Sequence, residues 1–160
     1  MRIWTSGRWK HIIPQRFLKY NNRVEINCAY GVDRDLRSSI YLFISWMKNH
    51  YQFPMPITVY IVNKRYIYAA DGDRVVGTCY QPASFEDEAY IRIAVGDYSD
   101  LLKRGRDNAI ASILYTLAHE ITHYYQWING SHLPTILSEL QAEQSAKRIL
   151  RLYAMTREHP

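Results

Sequence analysis

The residues best suited to chemistry are His119-Glu120-Ile121-Thr122-His123, which lie in a run of helical apolar periodicity. A spacing of four puts the two imidazoles on one face of a helix, where they form a two-point clamp for a divalent metal. Imidazole nitrogens suit Zn²⁺, and Glu120 sits where its carboxylate reaches a water on the metal rather than the metal itself. The five residues therefore offer both a metal site and a general base. The alternative is an ordinary His pair on a surface helix, so the rest of the chain must decide.

A clamp of two needs a third ligand. Catalytic zinc sites keep three protein ligands and an open position, whereas structural sites close with four. The last helical pattern supplies Glu139 and Glu143, four residues apart on a face that also carries Ala142, Ala146 and Tyr153. The small alanines let two helices approach closely. A solvated Glu pair on an exposed face is the other account of these carboxylates; beside the His pair, the ligand account is preferred. Either glutamate can close the site on spacing alone.

The elements that must position these groups follow from periodicity. Leu36, Ile40, Phe43, Ile44, Met47 and Tyr51 recur at helical spacing from Asp33 onward, and Pro54 and Pro56 stop that helix. Ile57 to Val62, rich in β-branched and aromatic residues, reads as a strand. Segments 66–70 and 74–80 flank Asp71-Gly72-Asp73 and predict a hairpin, and Tyr90 to Val95 alternates as another strand. Val24 to Cys28 has brief strand character after Asn21-Asn22, which offers a turn. Ile110, Ile113, Leu114, Leu117, Ile121, Tyr124 and Ile128 define the helix that contains the His pair, with Asp107 or Asn108 as its expected cap and Asn129-Gly130 as its end. Ile136, Leu140, Ala146, Ile149 and Tyr153 define the last helix.

Length predicts one domain over residues 1–160, with 1–31 as an N-terminal extension to which no chemistry can be assigned. Cys28 and Cys79 are far apart without CxxC spacing, which argues against a disulfide framework or a Cys-ligated zinc site and favours reduced thiols. No apolar leader and no run of membrane-spanning length is present, so the expectation is a cytoplasmic protein without a membrane partner. The net charge of +5 permits contact with nucleic acid, but the cations are scattered among acids and a solvated basic surface is the simpler account.

Taken together, His119-Glu120-Ile121-Thr122-His123 and the later Glu139-Leu140-Gln141-Ala142-Glu143-Gln144-Ser145-Ala146 resemble the minimal gluzincins, and among them the ImmA/IrrE-like metallopeptidases of bacteria and phages. The resemblance runs from about residue 33 to 155. It implies an α+β, zincin-like fold: a helix, a small twisted and mostly antiparallel sheet of three or four strands, the HExxH helix, and a C-terminal glutamate helix. It further implies one Zn²⁺ per chain held by His119, His123 and Glu139, with Glu120 as catalytic base. Glu143 becomes a carboxylate behind the ligands, or the alternative ligand. Gly77, Thr78, Cys79 and Tyr80 would form the strand at the cleft rim against which substrate backbone pairs. The implied partner is a protein or peptide substrate, such as a transcriptional repressor.

Two other readings stay open. One is a module that holds zinc and binds a partner without turnover. The other is a protease similar to the SprT-like enzymes that act on DNA–protein crosslinks, with the later His132 as ligand; the metzincin pattern is excluded because Gln126 and Asn129 stand in its Gly and His places. Tyr124, Tyr125 and Tyr153 are near enough in sequence to stabilise an oxyanion, but the chain has 14 tyrosines and two of these three fall on apolar stripes, so packing or wall-forming roles are preferred for each.

Overall fold

The structure is a computed structural model that describes residues 2–20 and 22–156. After short helical turns, among them α1 (Trp9–Ile12), the chain runs β1 (Val24–Cys28), α2 (Arg34–His50) and β2 (Ile57–Val62). The hairpin β3 (Ile67–Tyr68) and β4 (Arg74–Val75) follows, then β5 (Gly77–Tyr80) and β6 (Ala89–Ala94). A short α3 (Tyr98–Leu101) precedes the two long helices, α4 (Arg106–Ile128) and α5 (Thr135–Thr156). The fold is α+β with a small mixed sheet.

Four strands form the main sheet in the order β1-β2-β6-β5. Contrary to the expected mostly antiparallel arrangement, β1 with β2 and β2 with β6 are parallel, and only β5 with β6 is antiparallel. The reason lies in the connections. The helix α2 carries the chain back across the sheet before β2 begins, and a crossover of that kind leaves the two strands parallel. The expected hairpin forms, with Gly72 at a φ of 88° in its tip, but its second arm divides. Arg74 and Val75 pair with β3, and after Val76 the chain leaves to pair with β6.

Alternation within β2 and β6 buries Ile57, Val59, Ile61, Ile91 and Ile93 on the face toward α2 and α4. Asp33 caps α2 by accepting from the Leu36 amide at 3.0 Å, and Leu36, Ile40, Phe43, Ile44 and Met47 are its buried stripe. The N-terminal cap of α4 differs from the expectation. Gly105, at a φ of 106°, occupies the cap, while Asp107 lies in the first turn and Asn108 donates to the Arg104 carbonyl. Asn129 ends the helix and Gly130, at a φ of 61°, turns the chain toward α5, where a Cβ would stand 2.9 Å from Ile12.

Residues 1–31 are more than an extension. Trp4 and Ile13 are buried in the core, and β1 is an edge strand of the sheet. Trp4 Nε1 donates to Thr122 Oγ1 at 2.8 Å, and the Trp9 amide donates to Asn129 Oδ1 at 3.0 Å, so this segment braces the back and end of α4. Asn21, half of the expected turn, lies outside the described residues; Asn22 has a φ of 62° and accepts from the Phe53 amide. On α5, Ala142, Ala146, Ile149 and Tyr153 are buried as the periodicity predicts, whereas Ile136 and Leu140 are exposed. Their turn meets α4 through the polar residues Ser138 and Glu139 instead. Both cysteines are free, and no described helix is long and apolar enough to cross a membrane.

Candidate metal centre

Helix α4 is buried on several sides, which fixes its rotation and therefore the direction of its polar residues. Tyr124 donates to the Met55 carbonyl at 2.6 Å and accepts from the Met55 amide, and Tyr125 donates to the Gln52 carbonyl. Both phenols are thus spent on the segment before β2, and Tyr153 packs edge-on against Phe43. The packing roles expected for the three tyrosines agree with these positions. Thr122, inside the HExxH segment, is fully buried and donates to the Ala118 carbonyl while accepting from Trp4.

With α4 held this way, His119 and His123 emerge on the side facing α5, where Glu139 meets both. His119 Nε2 lies 3.0 Å from one Glu139 carboxylate oxygen, and His123 Nε2 lies 3.1 Å from the other. The three residues form a cluster whose ligand atoms are all within 4.8 Å of one another. Burial, followed by repulsion from the His123 ring, pushes the His119 pKa down, which favours the neutral imidazole that coordinates metal. Two ring nitrogens and a carboxylate converging on one point match the donor set that Zn²⁺ takes with an open fourth position. The residues fit the ion.

Glu120 lines the same cleft, lies against Gly77 of β5 and is 7% exposed. Burial, and after it the charge of Glu139, pushes its carboxyl up to about 8. Its neighbour is Gly77, where a Cβ would lie 3.0 Å from the Glu120 carboxyl oxygen and 2.8 Å from the Thr116 methyl. Only a glycine lets the strand pass this close to the helix. The far end of β5 is pinned as well, since Gln81 donates to the His123 carbonyl at 2.7 Å and Trp127 to the Pro82 carbonyl at 2.9 Å.

A cleft of about 1170 Å³ lies over these groups, lined by Gly77, Thr78 and Cys79 on one wall and by Ser138, Glu139 and Glu143 on the other. The β3–β4 hairpin adds Tyr66 and Arg74, the latter stacked 4.9 Å over the Tyr66 ring. Tyr80, grouped with the rim strand in the sequence, turns to the opposite face and stacks on Tyr90. Burial, and after it the Glu120 charge, pushes the Cys79 thiol pKa up, which favours the neutral thiol. Because β5 closes one edge of the sheet, its outer backbone edge is unpaired among the described strands.

Glu143 also lines the cleft, but its ion-pair partner is Lys147 at 3.5 Å, and it does not join the cluster of three. His132 is exposed and stands outside the cluster too. The residue that sequence reasoning passed over is Gln126. Its Oε1 lies 2.8 Å from His123 Nδ1, and its amide nitrogen donates to the Ser138 carbonyl and to Gln141 on α5. The available signal was an amide three residues past the second histidine, on the stripe of α4 that packs against α5. The chain matches no protein-family profile, no curated protein and no solved structure.

Proposed function

We propose that this protein is a zinc-dependent metallopeptidase, an endopeptidase with a narrow protein substrate. The observation that carries the reading is the convergence of His119, His123 and Glu139 in a cleft, with the buried Glu120 one position from the first ligand. His119 and His123 would hold the metal through Nε2 and Glu139 through its carboxylate. When bound, Zn²⁺ supplies a positive charge that acidifies a water, polarises the scissile carbonyl and opposes the burial that keeps Glu120 protonated. Glu120 then takes the proton from the attacking water and delivers it to the leaving amine, so that one carboxyl serves as base and acid in turn. An extended substrate pairs its backbone with the unpaired edge of β5, which places a peptide carbonyl between that strand and the ligands. Gly77 permits the close approach, and the wall opposite is the first turn of α5.

The test is Glu120→Gln, which keeps shape and loses basicity. The variant should retain about one Zn²⁺ per chain, as an open three-ligand site holds, and hydrolyse no peptide. Equal turnover by both proteins rejects Glu120 as the base. A second reading, a zinc-holding module that binds without turnover, is favoured by one observation: burial, and after it the Glu139 charge, raises the Glu120 carboxyl to about 8. Zinc-loaded protein that binds a peptide partner but never cleaves it, across the range in which Glu120 ionises, selects that reading.

A further inference from the structure

Gln126 is 3% exposed, a primary amide in a position where an apolar residue would ordinarily pack. A buried amide has two acceptor lone pairs and two donors to satisfy, and here all four are used. Oε1 is 2.8 Å from His123 Nδ1 and accepts from Ser138 Oγ at 2.8 Å; Nε2 donates to the Ser138 carbonyl at 3.0 Å and to Gln141 Oε1 at 2.9 Å. The Ser138 carbonyl can only accept, so the amide nitrogen must face it. That fixes which way the amide points: its oxygen is left for His123, and an oxygen there requires a proton on Nδ1.

We infer that Gln126 is a positioning residue for the metal centre, holding the proton of neutral His123 on Nδ1 so that the Nε2 lone pair faces Glu139 and the cleft. The same amide ties α4 to Ser138 and Gln141, which flank Glu139 on the first turns of α5, so one side chain sets the tautomer of one ligand and the place of another. Glu139 competes for that proton, being 3.1 Å from Nε2. The competition is unequal. The Glu139 side chain is 54% exposed and can turn to water, whereas Gln126 cannot turn without setting its oxygen against the Ser138 carbonyl. A metal on Nε2 would find its ligand already in the required tautomer.

This inference rests on the reading of the three donors as a zinc site, yet half of its test needs no metal. Imidazole ¹⁵N spectra of metal-free protein, taken about two pH units above the ordinary histidine value, should show His123 as the Nδ1–H form. An Nε2–H signal there overturns the proposal. Gln126→Met, close in shape and without hydrogen bonds, should mix the two tautomers. It should also weaken zinc, measured against a chromophoric chelator, by roughly ten- to a hundredfold. Gln126→Glu keeps an acceptor for Nδ1–H but cannot donate to Ser138 or Gln141, so it should keep the Nδ1–H tautomer while losing the tie to α5; tautomers as mixed as in Gln126→Met overturn the proposal. If wild type holds no zinc but its tautomer collapses in Gln126→Met, the metal reading fails while the placement of the His123 proton stands.

Discussion

Helices α4 and α5 furnish one site and are held in opposite ways. Of the 23 residues of α4, thirteen are buried, Glu120, Thr122 and Gln126 among them; of the 22 in α5, only Ala142, Ala146, Ile149 and Tyr153 are. The His pair therefore sits on an element braced by the sheet, by α2 and by the N-terminal turn through Trp4. Glu139 sits on an element held along one stripe, with Ile136 82% exposed one turn before it. The contrast teaches that two ligands are fixed by burial of their helix, while the third depends on how α5 docks. Close approach at the two alanines and the amide of Gln126 are the devices that dock it.

The largest effect expected from this contrast is on metal retention. His119→Ala with His123→Ala should leave no zinc after dialysis, read by elemental analysis, and should leave the fold intact because both rings line the cleft. Glu139→Gln should nearly abolish retention as well. Metal that survives the double change breaks the assignment of both helices.

The buried half of the site should next reveal itself in stability against pH. The folded carboxyl of Glu120 lies at about 8, above its ordinary value of 4.5, so the folded state keeps a proton that the unfolded chain has lost. Stability from this group is fully present below the ordinary value and is lost as pH rises through the folded one. In metal-free protein, wild type should lose roughly 4–5 kcal/mol relative to Glu120→Gln across that window, measured by urea unfolding. A difference that stays flat with pH shows that Glu120 is solvated and not part of the braced half.

The docking of α5 is probed by size. Ala146→Leu forces a larger side chain into the seam with α4 and should cost about 1–3 kcal/mol while lowering zinc affinity through displacement of Glu139. Ile136→Ser, on the exposed side, should change stability by less than about 0.5 kcal/mol. Similar costs at both positions would mean that α5 is not held by its alanine stripe.

The smallest effect is expected at Glu143. Both it and Lys147 are half exposed, so losing their pair in Glu143→Gln should cost only about 0.3–0.5 kcal/mol and leave zinc binding far less affected than Glu139→Gln does. The reverse ranking of the two glutamines in a zinc competition assay would hand the ligand role to Glu143.

By itself the sequence determined the features whose signal is local. Helix α4 and its His pair, helix α2 with its stops at Pro54 and Pro56, the strands β2 and β6 and the turn at Gly72 all rest on periods of two or 3.6 and on residues next to one another in the chain. The spacing of His119 and His123 carries their convergence because a helix makes neighbours of residues four apart. Tertiary structure decided what depends on distant partners. It made the sheet largely parallel, since a crossover helix and not a turn joins β1 to β2, and it divided the strand at Val76 because β6 offers Gly77 a longer ladder than β3 does. It turned an unassigned Trp4 into the partner of Thr122, across 118 positions, and it brought Glu139 rather than Glu143 to the His pair. Two glutamates one turn apart have the same local pattern. Only the angle and register at which α5 lies on α4, set by Ala142, Ala146 and the Gln126 amide, give one of them both histidines and the other Lys147.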